Sequence, residues 1–175
     1  FGDTMDTMQP EGRSFIAGIL NRVREFTLFT NPTINSYERL ELHSAPSHVN
    51  WSEENRIQLL QLRHTPGRDS SIELRCADAF CNPYLTFQLL LAAGFEGIQN
   101  QEQLTDDRNA ANGTAVFQAL PASLEEAWQV AAESAFVKKS LPEMIFRNYL
   151  EKTKQQLDAY QKTDDPVAFS YQQCF

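Results

Sequence analysis

Glu73 and Arg75 stand two residues apart in the run Ser71-Ile72-Glu73-Leu74-Arg75-Cys76. Side chains alternate along an extended strand, so both point to one face. A carboxylate beside a guanidinium is open to two readings. It is a surface ion pair of small energetic value, or it lines a cleft in which Glu73 holds a hard cation and Arg75 an anionic substrate group. Arg39 follows the turn and aromatic of Asn31-Pro32-Thr33-Ile34-Asn35-Ser36-Tyr37-Glu38-Arg39-Leu40, and Arg56 opens a stretch rich in Ile and Leu. The cations are unevenly distributed. Eight arginines fall between Arg13 and Arg75, whereas lysine first occurs at Lys138. Planar, permanently charged forks suit fixed contacts to carboxylate or phosphate, although each arginine taken singly reads as a solvated surface side chain.

These residues need elements to hold them. Ser14 is placed to cap a helix carrying Phe15, Ile16, Ile19, Leu20, Val23 and Phe26. Asn31-Pro32 ends that helix, because proline cannot continue it. Residues 41–50 read as loop. Residues 56–63 and 71–76 read as two short strands, adjacent and antiparallel, around a turn with Pro66-Gly67 at its tip. Asn82-Pro83 opens a helix running toward Gly94 or Gly97. Residues 100–115 are a polar loop. Ser123 with Glu126 is a capping box, and Pro142 sits in the first turn of a long helix reaching about Tyr160. Asp165-Pro166 starts a last short helix. The fold class is α+β in one domain: a few antiparallel strands and a mostly helical C-terminal half.

Bulk properties narrow the function. The chain has 175 residues, enough for a sizeable core, and a formal net charge of −8. That charge argues against a nucleic-acid surface and against anionic membranes. No run approaches the ~18 apolar residues of a membrane span. The three cysteines, Cys76, Cys81 and Cys174, lack CxxC spacing, and His43, His48 and His64 form no HxxxH. A zinc site is therefore not expected, and a reducing, cytoplasmic setting is. The chain opens Phe1-Gly2-Asp3-Thr4-Met5, which reads as part of a longer polypeptide.

Ordered strings along nearly the whole sequence resemble the glutamine synthetase family. They are Asn31-Pro32-Thr33 with Asn35-Ser36-Tyr37 and Arg39-Leu40, then Asn55-Arg56, Glu73-Leu74-Arg75, Asn82-Pro83-Tyr84-Leu85, Ala92-Ala93-Gly94-Phe95-Glu96-Gly97-Ile98, and Leu120-Pro121-Ala122-Ser123-Leu124-Glu125-Glu126-Ala127. On that resemblance residues 1–175 are the C-terminal part of the family's catalytic domain. The implied reaction is ATP-dependent amide formation from glutamate and ammonia through γ-glutamyl phosphate. Transfer between anions calls for divalent metal, Mg2+ or Mn2+, and for arginines. The resemblance makes Glu73 a metal ligand. Arg39 holds the glutamate carboxylate, Arg56 meets the phosphates, and Arg75 lies near the substrate and its reacting carboxyl. It also implies a ring homo-oligomer whose active site forms between subunits, so that this segment alone is inactive.

The departures are specific. Ser44 stands where the family carries a glutamate before Ala45-Pro46, with Glu41 the nearest substitute. Gln61 replaces an arginine at the nucleotide phosphates, with Arg63 two residues on along the same face. Ser71 replaces another arginine, with Arg68 in the preceding turn as substitute. Two alternatives follow: a γ-glutamyl-amine ligase using another amine, or a catalytically dead homologue that binds or regulates.

Overall fold

Pro10 at the first position of helix α1 (Pro10–Thr30) fixes where the chain turns helical, with Gln9 extended before it. The start is thus five residues earlier than a cap at Ser14 suggests. Ser14 lies inside the helix, and its hydroxyl donates to the Glu102 carbonyl at 2.9 Å. The computed structural model describes residues 8–41, 46–53, 58–63, 71–105 and 117–163, without the Glu41 side chain.

α1 is the spine. Ile16, Ile19, Val23, Phe26 and Phe29 are buried on it, each contributing about 1.5–3 kcal/mol of transfer free energy. It packs most extensively on α3 (Pro83–Asn100) and next on α4 (Leu124–Glu133). The α1–α3 crossing is close enough that glycine is required. A Cβ on Gly97 would lie 2.1 Å from the Ser14 carbonyl oxygen, and one on Gly18 would lie 2.3 Å from the Ala93 carbonyl oxygen. Gly94 and Gly97 therefore do not end α3. It continues to Asn100 and stops at Gln101, in the left-handed conformation at φ 52°. Its start is the one the sequence indicates, with Asn82 Oδ1 accepting from Tyr84 N at 3.0 Å.

The sequence pattern gives no sign of α2 (Ile34–Glu41), which occupies the stretch read as a turn before Arg39. Thr33 and Ser36 build its first turn reciprocally: Ser36 N donates to Thr33 Oγ1 and Thr33 N to Ser36 Oγ, both at 3.2 Å. Among the described residues three strands follow, β1 (Trp51–Ser52), β2 (Leu60–Arg63) and β3 (Ser71–Leu74), in the order β1-β2-β3. β2 and β3 are antiparallel as expected, whereas β1 pairs with β2 in parallel. Trp51 fixes β1, buried and donating its indole N–H to the Thr105 carbonyl at 2.8 Å.

The remaining elements among the described residues are helices: α4, α5 (Ala135–Ser140) and α6 (Glu143–Tyr160). Ser123 caps α4 through Glu126 N at 3.1 Å, and the Glu126 carboxylate returns to Ala122 N at 2.9 Å. Asp165-Pro166 lies outside the described residues.

Candidate active site on the β2–β3 face

The register of the hairpin divides its side chains cleanly. Leu60 pairs with Leu74 and Leu62 with Ile72, while Gln61 pairs with Glu73 and Arg63 with Ser71. Leu60 and Leu62 are buried, and Ile72 and Leu74 pack against the same core cluster. The alternate residues form the polar face. On it Glu73 stands between two guanidiniums, with Arg63 Nε 2.6 Å from Oε2 and Arg75 Nε 3.8 Å from Oε1. Neither contact is an aligned hydrogen bond for Oε2, which has no hydrogen-bond partner, and the same is true of Arg75 Nη1 and of the Gln61 amide oxygen.

Arg39 reaches this region from α2. Its Nη2 donates to the Cys76 carbonyl at 2.6 Å, one residue beyond Arg75, and its Nε lies 3.9 Å from Asp78 Oδ2. The floor beneath it is a network of backbone and amide bonds. Asn31 Nδ2 also donates to Cys76 O at 2.8 Å, Asp78 N donates to Thr30 O at 2.8 Å, and Phe80 N donates to Asp78 Oδ1 at 2.9 Å. The end of α1, the exit of β3 and the entry to α3 are thereby fastened together under Arg39. Sequence reasoning did not single out Asp78. The available signal was its place between Arg75 and the Asn82-Pro83 helix start, where a carboxylate has a loop backbone to fix it. Asn31, which in the sequence reads as the end of α1 and as part of a family-like string, is fully buried.

So Arg39, Arg63, Glu73 and Arg75 are placed on connected elements, three guanidiniums against the carboxylates of Glu73 and Asp78. Gln61 is buried and directly opposite Glu73, and Ser71 is exposed at the strand start. Arg56, Arg68 and Ser44 lie outside the described residues. The arrangement is suited to anions brought between forked cations. Glu73 fits a divalent cation as one oxygen donor, since one carboxylate oxygen lacks a directed hydrogen bond. It fits as one ligand only: no group of three His, Cys, Asp or Glu side chains able to hold a metal occurs among the described residues. Burial pushes the neighbouring Cys76 thiol from its ordinary 9.0 up to about 12, against the lowering effect of Arg39. Cys76 is thus a neutral packing residue whose carbonyl, rather than its sulfur, serves the site.

A family model described as glutamine synthetase, catalytic domain, matches residues 1–171. The chain belongs to the glutamine synthetase family. The glutamine synthetase of Methanosarcina mazei is 38% identical over 180 residues, covering 96% of this chain and 40% of that protein. That of Mycobacterium bovis is 35% identical over 170 residues, covering 89% of this chain and 37% of that protein. The chain therefore spans about 40% of the length of these curated glutamine synthetases. Among solved structures, "Crystal structure of novel glutamine synthase homolog" superposes with a TM-score of 0.78 at 23% identity, over 98% of this chain and 40% of that one. "GmaS/ADP complex-Conformation 1" gives 0.76 at 23% identity, over 94% and 40%. These two establish a shared fold.

Proposed function

We propose that the intact protein is an ATP- and Mg2+- (or Mn2+-) dependent ligase that joins glutamate to ammonia through γ-glutamyl phosphate. The segment described here would be the C-terminal part of its catalytic domain. The observation that carries this reading is Glu73 paired with Arg63 and Arg75, with Arg39 anchored on the Cys76 carbonyl one residue beyond Arg75, in a chain of the glutamine synthetase family. Arg39, held by the Cys76 carbonyl, binds the substrate carboxylate. Arg75 faces the reacting side-chain carboxyl and offsets the charge that builds as phosphate is transferred. Arg63, with Arg56 and Arg68, takes the nucleotide phosphates. Glu73 gives one oxygen to the divalent ion, which when bound would neutralise phosphate charge and align the transfer. The remaining ligands would come from outside this segment, which makes the segment alone inactive, and the working form a ring homo-oligomer of the cytoplasm. No helix among the described residues is long and apolar enough to cross a membrane.

A second reading is favoured by Ser44, which stands where the family carries the carboxylate that closes on the ammonium. An amine that arrives neutral needs that carboxylate less, so a γ-glutamyl-amine ligase follows. The test is ADP release by the intact protein with ATP, Mg2+ and glutamate, offered ammonia and then a panel of primary amines. Turnover with ammonia supports the first reading. Turnover with another amine alone replaces it with the second. No turnover from a folded oligomer overturns both and leaves a non-catalytic homologue.

A further inference from the structure

Glu73 meets Arg63 on a diagonal rather than directly. Across the β2–β3 ladder the residue opposite Glu73 is Gln61, and Arg63 is opposite Ser71. A residue one diagonal step away is within reach of a long side chain on the same face, and the Arg63 guanidinium closes the gap, with Nε at 2.6 Å from Glu73 Oε2. Magnesium binds a carboxylate oxygen at about 2.0–2.1 Å, using the same lone pairs. Oε2 is itself buried, and the guanidinium nitrogen 2.6 Å from it carries the same sign of charge as a cation, so the two compete for that oxygen. The pair is half open to solvent, with side-chain exposures of 50% and 40%, so Arg63 is free to leave without disturbing the buried face of the hairpin.

We infer that Arg63 is a built-in counter-ion of Glu73, occupying its Oε2 in the metal-free protein and displaced by the incoming divalent cation. This rests on the reading of Glu73 as a metal ligand. The consequence is a weakened cation site at Glu73, in which metal entry frees a guanidinium beside it. Arg75 serves as the internal comparison. It carries the same charge on the same face, but its Nε is 3.8 Å from Oε1, so it does not block an oxygen.

The experiment is a Mn2+ titration of the intact protein, without nucleotide, read by the EPR signal of free Mn2+. E73Q should remove one class of Mn2+ site, and if its stoichiometry matches wild type, the assignment of Glu73 as ligand is wrong. With that site established, R63Q should bind Mn2+ at least about threefold more tightly, since a competing half-exposed ion pair is lost. R75Q should change the affinity less. Unchanged affinity in R63Q overturns the counter-ion role while leaving Glu73 a ligand. Equal tightening in R63Q and R75Q also overturns it, by showing a general charge effect. R63M, similar in stem length and uncharged, repeats the measurement should R63Q alter the far-UV circular dichroism.

Discussion

Arg39 is aimed by backbone as much as by charge. The Cys76 carbonyl takes one of its N–H groups at 2.6 Å, and Asp78, itself fixed by Thr30 and Phe80, stands 3.9 Å from Nε. Asp78 touches no substrate in the proposed mechanism and acts by positioning Arg39. D78N should therefore raise KM for glutamate about fivefold, the equivalent of roughly 1 kcal/mol of lost orientation, with kcat nearly kept. Steady-state kinetics of the intact protein separate the two parameters, and an equal fall in kcat would make Asp78 part of the chemistry instead. At this scale the sequence showed which residue types were present and, for Glu73 and Arg75, that they share a face. It did not show the partners of Arg39. Asp78 and the Cys76 carbonyl lie 37 or more positions away along the chain, and no local period encodes such a contact.

Elements were legible where a cap marked them. Asn82-Pro83 and Ser123 with Glu126 behave as their spacing requires. Ser14 misled because a hydroxyl at helical spacing also serves inside a helix, here by bonding to Glu102. α2 escaped notice because it has only eight residues and follows a proline, so its apolar period is too short to read. Gly94 and Gly97 look like stop signals but are contact surfaces. The distinction is physical. A stop glycine is needed for its backbone angle, whereas Gly97 is needed because the Ser14 carbonyl occupies the space a Cβ would take. G97A keeps good helix propensity, so propensity alone predicts a gain in stability. The packing predicts the reverse: a loss of about 1–3 kcal/mol as α1 and α3 are forced apart. Chemical denaturation decides between them, and a stabilised G97A would mean that the two helices separate easily.

Two properties belong to the molecule as a whole. The first is alkaline sensitivity. Burial raises Cys76 from 9.0 to about 12 and Tyr149 from 10.0 to about 12, and lifts Tyr37 well above its ordinary value. Each group keeps its proton in the folded state at a pH where the unfolded chain has lost it. The unfolded state then binds fewer protons, so stability falls with rising pH. The contribution is complete below about pH 9 for Cys76 and is lost between there and about 12. Each such group steepens the fall by up to about 1.4 kcal/mol per pH unit within its window. C76A should flatten the curve of unfolding free energy against pH between 9 and 12, whatever it does to stability at neutral pH. An unaltered slope would show that Cys76 is not among the groups that drive alkaline unfolding.

The second property is the apolar face carried by α3. Its inward side meets α1, yet Tyr84, Phe87, Leu91 and Phe95, the last at the edge against Phe15 of α1, are 84%, 63%, 45% and 55% exposed. Their spacing of three to four residues makes one continuous stripe, and an apolar groove of about 710 Å³ lined by Phe15, Ile72, Leu91 and Phe95 continues it. Contiguous apolar surface of this kind is uncommon on a soluble monomer and marks a face that other protein covers. A chain spanning about 40% of its curated relatives has ample reason to lack that cover when expressed alone. The 175-residue chain should consequently self-associate, with a weight-average mass that rises with concentration in sedimentation equilibrium. Y84E/F87E places two charges on the most exposed part of the stripe, away from Phe95, whose ring packs edge-on against Phe15 of α1, and it should restore the monomer with unchanged circular dichroism. A wild-type chain that sediments as a monomer throughout would mean that the stripe is not sticky in water. A Y84E/F87E chain that still associates would move the contact to another surface.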